Sequence, residues 1–127
     1  GQSIGWKGTI MMTGTCHCGA CAYTYDHTPR WATSCNCSIC RKLGALWIYA
    51  FIPKIKVTGP TFSYAWNEKS LAFHACKVCG CTTHWESLTP KGPEARMAVN
   101  LRLADPDVMT SVRIRHFDGA DTWEFLD

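Results

Sequence analysis

Strand patterns dominate the hydrophobic positions along this chain. Residues 20–25 are small and aromatic, and residues 46–52 form a strong apolar run that stops at Pro53. Aromatics alternate at Phe62, Tyr64 and Trp66, and apolar segments follow at 72–75, 83–85, 97–103 and 112–117. In the last, Val112 and Ile114 alternate with Arg113 and Arg115, the period of two of a half-buried strand. Turn residues at 58–60, 90–93 and 118–119 punctuate the runs. Helix signals are few. Residues 38–43 predict one turn closed by Gly44, and Asp105-Pro106 reads as an N-cap with proline at the first helical position. Many short strands and few helical turns predict an all-β domain. No linker or low-complexity segment divides the 127 residues, so one domain is expected over 1–127. Residues 1–10 read as an upstream extension or cloning remnant, with Met11 or Met12 the native start.

Composition narrows the class. At 46% hydrophobic and 18% charged residues the chain has enough apolar surface for a folded core, and six Trp, five Phe and four Tyr make that core aromatic. No apolar run is long enough to cross a bilayer, and the N-terminus has no signal-peptide core, so a cytoplasmic address is expected. The formal charge of +3 is scattered rather than blocked, which gives nucleic-acid binding little support. Seven thiolates set against two dications would subtract three charges and cancel it.

Nine cysteines carry the chemistry. They fall in three clusters: Cys16, Cys18 and Cys21; Cys35, Cys37 and Cys40; Cys76, Cys79 and Cys81. In a reducing compartment such clusters are metal ligands more often than disulfides, and an odd count forbids full pairing. Cys76-x-x-Cys79-Gly80 is a knuckle half site that needs two further thiolates. Cys16-x-Cys18 is the natural complement, on an extended segment where i and i+2 point the same way. A closed four-thiolate zinc there would be structural; the competing reading is four small buried hydrophobes. The middle cluster offers three thiolates and a fourth position open to water or substrate, the arrangement of catalytic zinc. Alternatively Cys21, Cys81 or His84 closes it.

Three thiolates leave a zinc site at net −1, a poor Lewis acid for carbonyls but a good holder of an incoming thiolate. Thiol chemistry is therefore expected over hydrolysis. Arg41 and Lys42 can receive the carboxylates of a small anionic thiol, or form a solvated basic turn. Trp47 and Tyr49 can line a cleft or fill the core. Asn100, inside an apolar strand, needs a polar partner and is a candidate to face the site. His74, His84 and His116 read as satisfied structural histidines.

The motifs Gly14-Thr-Cys16-His-Cys18-Gly-Ala, Cys35-Asn-Cys37-Ser-Ile-Cys40-Arg-Lys and Cys76-x-x-Cys79-Gly resemble those of the glutathione-dependent formaldehyde-activating family. That family also includes the centromere protein V domain. The segments 96–102 and 117–123 resemble its closing strands, so the likeness spans residues 12–126. The resemblance implies a β-tent, a zinc-stapled all-β fold of several small coiled antiparallel sheets. It implies two zinc ions: a structural one on Cys16, Cys18, Cys76 and Cys79, and a labile one on Cys35, Cys37 and Cys40. It implies condensation of formaldehyde with glutathione to S-hydroxymethylglutathione, a carbon–sulfur lyase reaction run in reverse. Cys21 and Cys81 depart from the family pattern, as buried fillers, a redox pair or ligands that close the second site. The alternatives to an enzyme are a non-catalytic zinc-binding interaction module and a labile-zinc redox sensor.

Overall fold

The computed structural model describes residues 12–27, 29–51, 55–65, 71–88 and 95–127. The expected N-terminal extension, the strand ends at 52 and 66 and the turn at 90–93 lie outside them. Among the described residues the strands are β1 (Met12–Thr15), β2 (Ala22–Tyr25), β3 (Trp31–Cys35), β4 (Trp47–Phe51) and β5 (Ile55–Thr58). They continue with β6 (Thr61–Tyr64), β7 (Leu71–Cys76), β8 (Thr82–Ser87), β9 (Arg96–Asn100) and β10 (Arg113–Phe117). Two short helices, α1 (Ser38–Leu43) and α2 (Pro106–Ser111), and a 3₁₀ turn at Leu101–Leu103 complete the order. The protein is all-β, as its sequence pattern predicts.

A three-stranded sheet runs β1-β2-β5, and a seven-stranded sheet runs β10-β3-β4-β9-β8-β7-β6. Every pairing is antiparallel except β3 with β10, which is parallel and sets Phe117 beside Cys35. That pair delivers the C-terminal segment to the middle cysteine cluster.

The apolar run at β4 is continuous because both faces of the strand are covered. Ile48 points into the core between the sheets, with Met12, Tyr23, Ile55, Val99 and Leu101. Trp47 points the other way, against Phe73, Trp85 and Ala98. Burying each of these large side chains is worth about 1.5–3 kcal/mol. The alternation at Phe62 and Tyr64 is also present, but β6 is an edge strand and both rings are exposed. The strand expected over 97–103 stops at Asn100, whose side chain accepts from the Arg102 amide and caps the 3₁₀ turn. Among the described residues no helix is long and apolar enough to cross a membrane.

Candidate active site

The first and third cysteine clusters are hairpin turns of the same design. Cys16–Cys21 joins β1 to β2 and Cys76–Cys81 joins β7 to β8. Each turn is closed by an amide-to-carbonyl bond across five residues, Cys16 to Cys21 at 3.0 Å and Cys76 to Cys81 at 2.9 Å. Gly19 and Gly80, both at φ +84°, take the left-handed step that reverses the chain. The Cys16–Cys18 pair therefore sits on a turn, not on the extended segment its spacing predicts.

The two hairpins face each other, and Cys16, Cys18, Cys76 and Cys79 bring their sulfurs within 4.8 Å of one another. Cys18 Sγ lies 3.6 Å from Cys16 Sγ and 3.7 Å from Cys76 Sγ. A tetrahedron with Zn–S bonds of about 2.3 Å has an edge of about 3.8 Å, so the donors fit zinc. Backbone amides support the anionic form. Cys21 N donates to Cys16 Sγ, Ala20 N to Cys18 Sγ, and Val78 N to Cys76 Sγ. The Cys81 and Cys18 amides hold the Cys79 thiol down to about 5, and the Cys79 amide lowers Cys76. At Cys18 the Ala20 amide pulls down, but burial and neighbouring thiols outweigh it and push the group up to about 12. Metal binding would expel any protons these thiols still carry.

Cys21 and Cys81 hold equivalent positions as the closing residues of the two turns. Both pack against this quartet, and Cys21 Sγ donates to the Pro60 carbonyl at 3.2 Å. Neither reaches the middle cluster.

That cluster is built by two elements, β3 and α1. Cys35 ends β3, Cys37 is the N-cap of α1, and Cys40 lies one turn on, so Cys37 and Cys40 share a helix face. Their sulfurs lie within 4.8 Å of one another, and among the described residues no fourth Cys, His, Asp or Glu joins them. Cys40 donates to Cys35 and, with the Cys37 and Gly119 amides, holds the Cys35 thiol down to about 5 against burial. The Cys35 thiolate in turn raises Cys40, which also accepts from the Trp47 indole at 3.3 Å. A centre already holding one thiolate and backed by donors suits a zinc ion with three protein ligands.

The three thiols form part of the wall of a cleft of about 910 Å³. Trp47 and Tyr49 come from β4, Phe73 from β7 and Trp85 from β8; Trp31, Phe117, Trp123 and Phe125 come from β3, β10 and the C-terminal segment. Asn36 ties that segment down. Its amide donates to Asp118 at 3.0 Å and its oxygen accepts from the Ala120 amide at 2.9 Å. A smaller cleft of about 220 Å³ borders Cys35 and Cys40 on another flank and is lined by Arg41 and Arg102.

The sequence profile described as glutathione-dependent formaldehyde-activating enzyme matches residues 11–114. The chain belongs to this family. A crystal structure of a Rhodobacter sphaeroides protein is similar to it, at 27% identity and a TM-score of 0.65, over 81% of this chain and 99% of that one. The formaldehyde-activating family binds zinc, in keeping with the two thiol clusters.

Within this family member the residues singled out from sequence divide. Cys16, Cys18, Cys76 and Cys79 come together, as do Cys35, Cys37 and Cys40. Trp47 is 1% exposed, so it is a core aromatic and a cleft wall at once. Arg41 borders the smaller cleft, and Lys42 is exposed on α1 and lines neither. Asn100 must be corrected: it does not face the site. Its oxygen accepts from the Leu46 and Arg102 amides and its nitrogen donates to the Thr82 carbonyl, so its polar atoms are taken up by backbone groups of neighbouring segments. Sequence reasoning missed Arg102, Gly119 and the aromatic rim as site residues. Only the odd recurrence of Phe and Trp after Asp118 hinted at the rim.

His84 does not close the middle cluster. It lies across β7–β8 from His74, stacked at 4.3 Å and 8°. His74 bonds Thr61 at 3.0 Å and Glu86 at 2.6 Å, and His84 bonds Thr83 at 2.8 Å. Burial, with His74 beside it, pushes the His84 pKa down from its ordinary 6.5 to about 3. The unfolded chain therefore binds more protons between those values. Stability from neutral His84 is present above pH 6.5 and is lost as pH falls toward 3, at no more than about 1.4 kcal/mol per pH unit. Denaturant melts of His84→Asn should show a flatter loss between pH 6.5 and 5 than the parent. Parallel curves would remove His84 from the acid limb.

Proposed function

We propose that this protein is a zinc-dependent carbon–sulfur lyase or synthase acting on the adduct of glutathione, or a similar thiol, with an aldehyde. The observation that supports this is the three-thiol centre, which has no fourth described ligand and opens on a cleft. Zinc bound by Cys35, Cys37 and Cys40 supplies one property, the stabilisation of an incoming thiol as thiolate. The quartet of Cys16, Cys18, Cys76 and Cys79 holds the structural ion. A cytoplasmic, reducing setting suits nine free thiols.

The chain's own residues do the rest. Trp47 fixes the Cys40 sulfur, and Arg41 and Arg102 take the thiol's carboxylates on the basic flank. The thiol gives its proton to solvent in the cleft; attack of the resulting thiolate on the carbonyl carbon forms the C–S bond and moves the C=O π pair onto oxygen. Tyr49 donates the proton that oxygen needs. Burial, opposed by Thr33 and reinforced by the cysteine charges, pushes its hydroxyl up to about 12, so it remains protonated at neutral pH. Solvent in the cleft reprotonates it. The reverse sequence cleaves the adduct.

Glutathione titrated against the zinc-loaded protein should bind saturably, and Cys37→Ala should abolish the effect. Exchange NMR should show the protein accelerating equilibration of formaldehyde and glutathione with S-hydroxymethylglutathione. Tyr49→Phe should slow it by about a hundredfold while leaving thiol binding in place. Equilibration at the uncatalysed rate with no thiol effect on the metal would favour a non-catalytic interaction module.

A further inference from the structure

We propose that the aromatic cleft selects an aldehyde whose carbonyl carries an aromatic group, with the small charged thiol entering from the Arg41–Arg102 flank. This rests on the reading that the three-thiol centre joins a thiol to an aldehyde. Formaldehyde has no substituent, whereas a cleft of about 910 Å³ beside the reacting sulfurs has room for a drug-sized guest. Something larger than one carbon belongs there.

Charge decides which reactant fills it. Glutathione carries two carboxylates and an ammonium, and burying them needs matched partners. Among the described residues lining the aromatic cleft, Arg96 is the one cationic side chain. Two further cations, Arg41 and Arg102, border the same cysteines from the smaller cleft, and Arg102 Nε is anchored to the Gly44 carbonyl at 2.6 Å. The thiol's charged body is thus matched to one flank and the aldehyde's apolar body to the other.

Trp123 supplies an independent observation. It sits at φ +61°, a left-handed conformation that a bulky side chain rarely adopts. Its amide donates to the Asp118 carbonyl at 2.8 Å, and Asp118 is itself bonded to Asn36, between two of the cluster's cysteines. The ring is 73% exposed at the cleft rim and meets Phe117 edge-on at 5.7 Å. A strained backbone that holds a large ring out to solvent at the rim of the cleft that the three thiols line fits a stacking partner for a flat guest. The chemistry is unchanged: thiolate sulfur bonds to the carbonyl carbon, the π pair moves to oxygen, and Tyr49 provides the proton. The product is an aryl hemithioacetal, with no change of oxidation state.

The test uses zinc-loaded protein, glutathione, and benzaldehyde, 2-naphthaldehyde or formaldehyde, with exchange NMR reporting each rate enhancement over the uncatalysed addition. The aromatic aldehydes should be enhanced at least tenfold more than formaldehyde. Trp123→Gly, which the left-handed backbone accepts, should cut that preference at least tenfold, and Trp123→Phe should restore most of it. Equal or greater enhancement of formaldehyde would overturn this inference and leave the thiol–aldehyde reading standing. Enhancement of none of the three would sink both.

Discussion

Cys76→Ser should leave this protein without a stable fold under conditions where the parent is fully native. The quartet joins the β1–β2 turn of one sheet to the β7–β8 turn of the other, so a metal held there would staple the two sheets together. Structural zinc binding is worth about 10–16 kcal/mol in small zinc domains at neutral pH. A whole domain is stable by only about 5–15 kcal/mol, so losing the staple exceeds what the cores can hold. Circular dichroism and zinc content check this together: the variant should lose cooperative melting and both metals. Cys81→Ala is the matched control. Cys81 packs beside the quartet without belonging to it, so this variant should keep its zinc and melt within a few degrees of the parent. A folded, cooperative Cys76→Ser protein would show that the sheets hold without the staple.

Gly119→Ala should empty the middle centre while sparing the fold. A Cβ at 119 would lie 2.6 Å from Cys35 Sγ and 3.3 Å from Cys37 Cβ. A sulfur at the end of a short side chain can rotate away at little cost to folding. It cannot do so and stay a ligand, and the Gly119 amide that stabilises the Cys35 thiolate is displaced with it. The expected result is loss of one zinc per chain, activity down at least a hundredfold, and a melting temperature within a few degrees of the parent. Such a loss matches removal of a group that touches the reacting atoms. Retention of full zinc content would mean that the 117–119 segment yields instead, and that Cys35 is not held as tightly as β3–β10 pairing indicates.

The elements legible in the sequence were those with local causes. α1 and its Gly44 stop follow from a few neighbouring residues, and β4 from an unbroken apolar run. β1, β3 and β5 went unread for reasons that lie elsewhere in the chain. β1 contains Gly14, a poor strand former, placed where a side chain would strike the Tyr23 ring. β3 carries small polar residues and is held by β4 on one side and β10 on the other. β5 is four residues long and gains its place by pairing with β2. Asn100 was correctly expected to need a polar partner, but sequence gave no direction for its side chain, and the partners are backbone groups of Leu46, Thr82 and Arg102.

By itself the sequence determined that this is an all-β protein with three thiol clusters, because strand period and ligand spacing are properties of neighbours along the chain. Tertiary structure alone decided that Cys21 and Cys81 stay with the quartet and that eight aromatic rings line the cleft beside Cys35, Cys37 and Cys40. For the C-terminal rings the cause is the parallel β3–β10 pairing: it brings residues some eighty positions apart into contact, and no local pattern encodes a contact that only long-range pairing creates.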